Sequence, residues 1–396
     1  MDSIKPRLVF IASRYPFPLE KGDKLRSYHL IKGLSSSHSI TLIALTDEPI
    51  CAEWKAEIEP FVHAQHIFRL NRFFQFFRTG LALFSSQPFQ LAYFTSFIVK
   101  QRIKQLVNQI QPDHVFCQMI RPAEYIKNYH VCHKTIDYMD ALSVGMERRA
   151  HNAPITTRWI YKMEASRLKE YEQRIFNYFE YQTMITKQDT QYIAHPDQRK
   201  ITVIPNGIDT SYFFPQPDTK QTVDLVFVGN LSYAPNVNAM QWFVINIMQH
   251  HPEWTLLIAG ANPNQEIIQL GKQHKNITVE GWQADIRNAY ARGKVFIAPM
   301  QIGTGMQNKL LEAMAMGLPC ITTPLASDAL EASDGDELLV AKTVLEFEQH
   351  ITHLLNETLD LKELGFRGRK FVETKYGWDQ AIDRLSTMLN TRPESA

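Results

Sequence analysis

The chain has 396 residues, more than one hydrophobic core usually serves, so two domains are expected. Its 44% hydrophobic and 21% charged residues, with ordinary glycine and proline, exclude a disordered, collagen-like or coiled-coil chain. With 42 basic against 41 acidic residues the net charge is +1, so no global field attracts nucleic acid. No uncharged apolar run reaches the length of a membrane span, and the opening MDSIKPRLVFIASRY lacks the apolar core of a signal peptide. Cys51, Cys117, Cys132 and Cys320 are too few for a disulfide scaffold and too scattered for a CxxC metal site, which fits a reducing cytosol.

Strand-length apolar runs occupy residues 8–12, 40–45, 66–70, 115–117, 135–138 and 183–186, with helical patterns between them at 24–34 and over the charged 159–179. After the first run, Gly22 opens a loop and Asp23 suits the cap of a helix beginning at Lys24. Gly22 and Arg26 are candidates for an anionic ligand there; the alternative makes Asp23 a plain cap and Arg26 a surface residue. Residues 60–112 contain no Asp or Glu but ten Phe and six Lys or Arg. Leu70, Phe74, Phe77, Leu81 and Phe84 share one helical face, flanked by Arg69 and Arg78, with Asn71, Gln75 and Thr79 opposite. A helix over 69–84 suits peripheral contact with an anionic membrane, its arginines snorkelling; the alternative packs the stripe on the sheet. Asp137 and Asp140 flank the end of the fifth run, either near an acceptor hydroxyl or as caps and surface carboxylates.

Val203-Ile204-Pro205-Asn206-Gly207, followed by Pro215 and Pro217, reads as an interdomain linker. Beyond it, near-continuous apolar runs at 225–228, 255–258, 277–279, 295–297, 320–322 and 338–340 alternate with helices, as in a parallel sheet covered on both faces. The final helix, 378–389, lies past the last of these runs.

In open parallel sheets ligands bind beyond the carboxyl ends of the strands. After the run at 295–297 comes Gly303-Thr304-Gly305 and a helix opening at about Met306. Glycines let backbone N–H groups approach an anion, the helix start adds donors and positive partial charge, and Lys309 adds a full charge. Glu312 stands three residues on, on the same face. Such a site suits a sugar nucleotide, the amine on the phosphates and the carboxylate on ribose hydroxyls. The alternative is a tight turn with a solvated i,i+3 ion pair. The spacing matches neither a Walker loop nor GxGxxG. Gly281-Trp282 follows a strand end, where its backbone could read a base or Trp282 could anchor a turn. The fourteen histidines form no HxxxH or HExxH set, so no structural metal is expected, and no GxSxG elbow occurs.

This segment resembles the signature of retaining glycosyltransferases of family 4, which have the two-domain GT-B fold. Leu311-Glu312-Ala313-Met314-Ala315-Met316-Gly317-Leu318-Pro319 matches the latter half of their E-x7-E motif, with Thr304 where the first glutamate is expected. Ile204-Pro205-Asn206-Gly207-Ile208-Asp209, with Phe213 and Pro215, resembles their linker. Val226-Phe227-Val228-Gly229 resembles the start of their second domain, and Tyr15-Pro16-Phe17-Pro18 with Lys21 to Ser27 their first-domain loop. The wording is similar to bacterial glycosyltransferases associated with exosortase and exopolysaccharide loci. Where many members carry an Arg…Lys pair, this chain has Asn230 and Pro235-Asn236, which shifts the basic work on a diphosphate to Lys309, with Arg26.

The resemblance implies an α/β protein of two Rossmann-like domains facing across a cleft, residues 1–200 and 201–377, with a C-terminal helix in 378–396 returning to the first. It implies a metal-independent, retaining transfer of sugar from a nucleotide diphosphate to a saccharide or lipid-linked acceptor. No cofactor is expected, and no nucleic acid partner. Lys309 and Glu312 are the expected catalytic pair. Donor contacts are expected from Gly22, Arg26, Gly229, Asn230, Trp282, Gly303, Thr304, Gly305, Met306, Gln307, Asn308 and Leu311, and acceptor contacts from Asp137 and Asp140. The expected location is the cytoplasm, at the inner face of the membrane if residues 69–84 dock there. A nucleotide-sugar epimerase and a non-catalytic sugar-nucleotide binding protein are the competing readings.

Overall fold

The computed structural model describes residues 5–19, 21–302, 306–356 and 359–390. The chain divides into two compact units, one of residues 1–206 with 381–396 and one of residues 207–380. The first is built on a seven-stranded parallel sheet: β1 (Arg7–Ala12), β2 (Ser39–Thr46), β3 (Ala64–Arg69), β4 (His114–Gln118), β5 (His133–Asp137), β6 (Tyr181–Met184) and β7 (Thr202–Val203). Their order across the sheet is β3-β2-β1-β4-β5-β6-β7. The central strands are buried on both faces, as β1 shows with Leu8 to Ala12 all at or below 1% exposure. That is why they read as unbroken apolar runs and not as alternating ones. Val203, expected in the linker, pairs instead with Met184 as the sheet's last strand, which moves the start of the linker past it.

The second unit carries a six-stranded sheet: β8 (Val223–Val228), β9 (Leu256–Ala259), β10 (Ile277–Glu280), β11 (Gly293–Ala298), β12 (Cys320–Thr322) and β13 (Leu339–Val340). Its order is β10-β9-β8-β11-β12-β13, again with parallel pairings. Both sheets are doubly wound, and the strand order reverses between β1 and β4 in one and between β8 and β11 in the other. At such a reversal the flanking connections leave toward opposite faces and open a crevice at the strands' carboxyl ends. The helix Trp378–Asn390 enters the first unit at residue 381. There Ile382 lies so close to Gly33 that a Cβ on the glycine would fall 2.0 Å from its Cδ1, so only glycine fits.

Two local expectations change. The helix after β1 runs Gly22–Leu34, with Lys21 as its cap residue and no side-chain cap bond. Asp23 therefore sits inside the first turn, where its carboxylate takes Arg14 at 2.9 Å. The amphipathic segment is a shorter helix, Arg72–Leu81, capped by the Asn71 side chain on Phe73 N. It does not pack its phenylalanines on the sheet: Phe73, Phe74, Phe76 and Phe77 face solvent while Gln75 is buried.

Candidate functional site

Three chain segments meet at the switch point of the second unit. Gly229 follows β8, Gly260 follows β9, and the stretch after β11 leads to the helix Asn308–Ala315. Leu310, Leu311, Ala313, Met314 and Ala315 of that helix are buried in the core, which fixes its roll and turns Lys309 and Glu312 away from that core. Among the described residues no side chain caps the helix, so its amino end keeps donors for an anion.

The Lys309 amine lies over the carboxyl ends of β8 and β11. It donates to Asn236 Oδ1 at 2.6 Å and Gln307 Oε1 at 3.1 Å, touches Met300 Sδ at 3.7 Å, and stands 5.3 Å from the Phe227 ring centre. All these partners are neutral. Burial therefore dominates and holds the ammonium down to about 8 from its ordinary 10.5, with Glu312 opposing weakly. A half-buried cation whose partners among the described residues are all neutral can take an anion.

Two glycines make the floor. A Cβ on Gly229 would lie 2.8 Å from Asn236 Nδ2 and 3.5 Å from Lys309 Cε. Gly260 holds φ +144°, and a Cβ there would fall 1.8 Å from Gly229 O. Asn236 ties this floor to the amine, donating to Asn230 O at 2.8 Å while accepting from Lys309. It occupies the place where the family resemblance implies a second basic residue, and nothing local in the sequence marks it as a site residue.

Glu312 does not form the i,i+3 ion pair with Lys309. It accepts from Tyr290 OH at 2.7 Å, and burial raises its carboxyl above the usual range. Tyr290, on the short helix Arg287–Ala291, is a further participant that sequence spacing could not flag. Gln307 is the cap residue of the helix and a partner of Lys309, Asn308 is the first helical residue, and Met306 packs partly against the core. Leu311, expected to touch the donor, has its side chain wholly in the core, so a side-chain contact is excluded. Asn230 spends its side-chain oxygen on Ser232 N at 3.0 Å and Oγ at 2.8 Å. Trp282 is 74% exposed and packs no turn. Gly303, Thr304 and Gly305 lie outside the described residues.

The first unit corrects two assignments at once. Arg26 and Asp137, expected to serve separate ligands, are one buried ion pair, each side chain 0% exposed. Arg26 Nε and Nη2 reach the two Asp137 oxygens at 2.7 and 3.2 Å, and Nη1 reaches Asn206 Oδ1 at 3.0 Å. Thr183 Oγ1 completes the carboxylate at 2.8 Å, and Ser27 bonds Gln118 beside it. The pair thus locks the helix Gly22–Leu34 to β5 and Asn206 and offers nothing to a ligand. Gly22 is exposed at the start of that helix, and a Cβ there would meet nothing. Asp140 differs from Asp137. It keeps some solvent access just beyond β5, while desolvation of the carboxyl, with the carboxylates of Asp189 and Asp137, pushes it up to about 6. A carboxyl of that kind takes up or gives up a proton near neutrality.

Comparison with known proteins bears on this geometry. Residues 222–357, the span holding the amine site, match the family described as glycosyl transferases group 1. An uncharacterized 44.6 kDa protein in the cps region of Klebsiella pneumoniae is 21% identical over 93% of this chain and 96% of its own. The Escherichia coli UDP-Gal:alpha-D-GlcNAc-diphosphoundecaprenol alpha-1,3-galactosyltransferase is 28% identical over 36% of this chain and 42% of its own. Among solved structures, Anabaena Alr3699/HepE in complex with UDP and glucose superposes with a TM-score of 0.69 at 12% identity, covering 97% of this chain and 99% of that one. The two Rossmann-like sheets share the fold of GT-B structures, and residues 222–357 are similar to the group 1 family.

Proposed function

We propose that the chain transfers a hexose, with retention of configuration, from a nucleotide diphosphate sugar to a saccharide or lipid-linked acceptor in bacterial polysaccharide synthesis. The observation that carries this is the Lys309 amine, held among neutral partners at the strand reversal of the second unit. As the glycosidic C–O bond breaks, the leaving diphosphate gains charge. The amine, the amides at the start of the helix Asn308–Ala315 and its dipole meet that charge without a metal. Glu312, its second oxygen unspent on Tyr290, accepts ribose hydroxyls, and the exposed Trp282 stacks on the base. In a retaining transfer of this type the leaving phosphate takes the acceptor's proton, so no protein nucleophile is assigned. Asp140 lies on the acceptor side as a hydrogen-bond partner that orients the incoming hydroxyl. The Anabaena neighbour holds UDP and glucose, which makes UDP the first donor base to try. The E. coli relative's name specifies a diphosphoundecaprenol acceptor, which makes a lipid-linked diphosphate saccharide the first acceptor to try.

Incubating the purified chain with radiolabelled UDP-sugars and bacterial membrane extract tests this. Label moving into the lipid fraction supports it. Conversion of the sugar without an acceptor would instead support an epimerase, and binding without either a non-catalytic protein.

A further inference from the structure

The helix Arg72–Leu81 and the turn Ala82–Phe84 are built with their apolar side outward. Phe73, Phe74, Phe76 and Phe77 are 74%, 61%, 66% and 59% exposed, and Phe84 is 91% exposed. The inward side holds Gln75 at 4% exposure, whose two amide atoms find no hydrogen-bond partner among the described residues. The helix is clamped in this orientation. Asn71 caps it, Arg78 bonds Thr95 O, and Arg167 reaches Ala82 O at 2.8 Å. Phe97 and Ile98, which open the helix Phe97–Ile110, are each 64% exposed as well. An apolar helix face turned outward on a folded unit marks an interaction surface.

Charge identifies the occupant. Residues 60–112 carry six Lys or Arg and no Asp or Glu. Carboxylates that reach this region from elsewhere are already engaged. Asp47 and Glu48 face Arg72 at 3.6 and 2.9 Å, Glu124 faces Lys100 and Lys127, and Glu164 takes the Phe89 and Gln90 amides. Arg69, Arg102 and Lys104 are exposed and form no ion pair among the described residues. Phenylalanines that enter the head-group boundary, in a stretch of chain that has no carboxylates of its own to answer its cations, fit an anionic bilayer. A second copy of this chain would bring like charges together.

We infer that the exposed phenylalanine face of residues 73–84 docks the first unit on an anionic lipid bilayer. Docking there needs neither sugar nucleotide nor transfer, so it stands or falls apart from the donor site. Co-sedimentation of the full chain with phosphatidylcholine vesicles, with and without phosphatidylglycerol, measures it. The wild-type chain is expected to bind the anionic vesicles. The variant Phe74→Asp with Phe77→Asp is expected to bind at least about tenfold more weakly with an unchanged thermal midpoint, since both side chains already face solvent. Arg69→Glu with Arg102→Glu and Lys104→Glu is expected to abolish the preference for anionic lipid. Undiminished binding by the phenylalanine variant overturns the inference. So does equal wild-type binding to both vesicles, or a lipid-free dimer that the phenylalanine variant dissolves.

Discussion

Replacing Lys309 with methionine separates stability from activity. In the folded chain the ammonium sits at about 8 instead of 10.5, which corresponds to a burial cost of about 3 kcal/mol for the charged form. The cost is full below about pH 8 and fades to nothing above about pH 10.5, where the amine is neutral folded or unfolded. Methionine removes it but leaves Asn236 Oδ1 and Gln307 Oε1 without their donor, at about 1 kcal/mol each. The unliganded variant should therefore gain about 1 kcal/mol at pH 7 and lose that advantage toward pH 10.5. Its reaction should suffer the opposite fate. Losing one preorganised donor to the departing charge costs about 3–4 kcal/mol, or 100–1000-fold in kcat. Urea unfolding at the two pH values, UDP calorimetry and a transfer assay read the three quantities. A variant that binds UDP and transfers sugar as the parent does refutes the assignment of the amine.

The same amine predicts a proton count: at pH 8 it is about half charged when free, so UDP binding should draw in about half a proton, measured by calorimetry in buffers of different ionisation enthalpy, and almost none at pH 6.5. Asp140→Asn should lower kcat/KM and erase an acid limb near pH 6, below which the wild-type carboxyl is protonated; an unchanged pH profile would remove Asp140 from the acceptor side. Arg26→Met should cost about 3–5 kcal/mol in urea unfolding by leaving Asp137 buried and unpaired, a loss that pairing it with Asp137→Leu should partly restore. Gly260→Ala should destabilise the chain and weaken UDP binding together, because the new Cβ collides with Gly229 O beneath the amine.

The helix Arg72–Leu81 shows where periodicity stops being informative. Its pattern of Phe74, Phe77 and Leu81 specifies which residues share a face, yet the same pattern suits a buried or an exposed face. Only the packing of Gln75 inward and the clamps from Arg78 and Arg167 decide it. Likewise Arg26 and Asp137 stand 111 positions apart, and nothing local to either marks them as partners.

What the sequence determined on its own are the features that repeat along the chain. Twelve apolar runs alternating with helical patterns dictate two parallel sheets, because a strand covered on both faces must be apolar throughout. The glycines before Lys309 raise the expectation of an anion site, because glycines, an expected helix start and an amine lie within a few residues of each other in the sequence. What the tertiary structure decided are the long-range meetings: Asn236 and Gly229 at the amine, Tyr290 at Glu312, and the closed pair of Arg26 and Asp137. Burial and charge pairing are properties of neighbours in space, and a charged residue's role as ligand contact or internal brace depends on which neighbours folding brings to it.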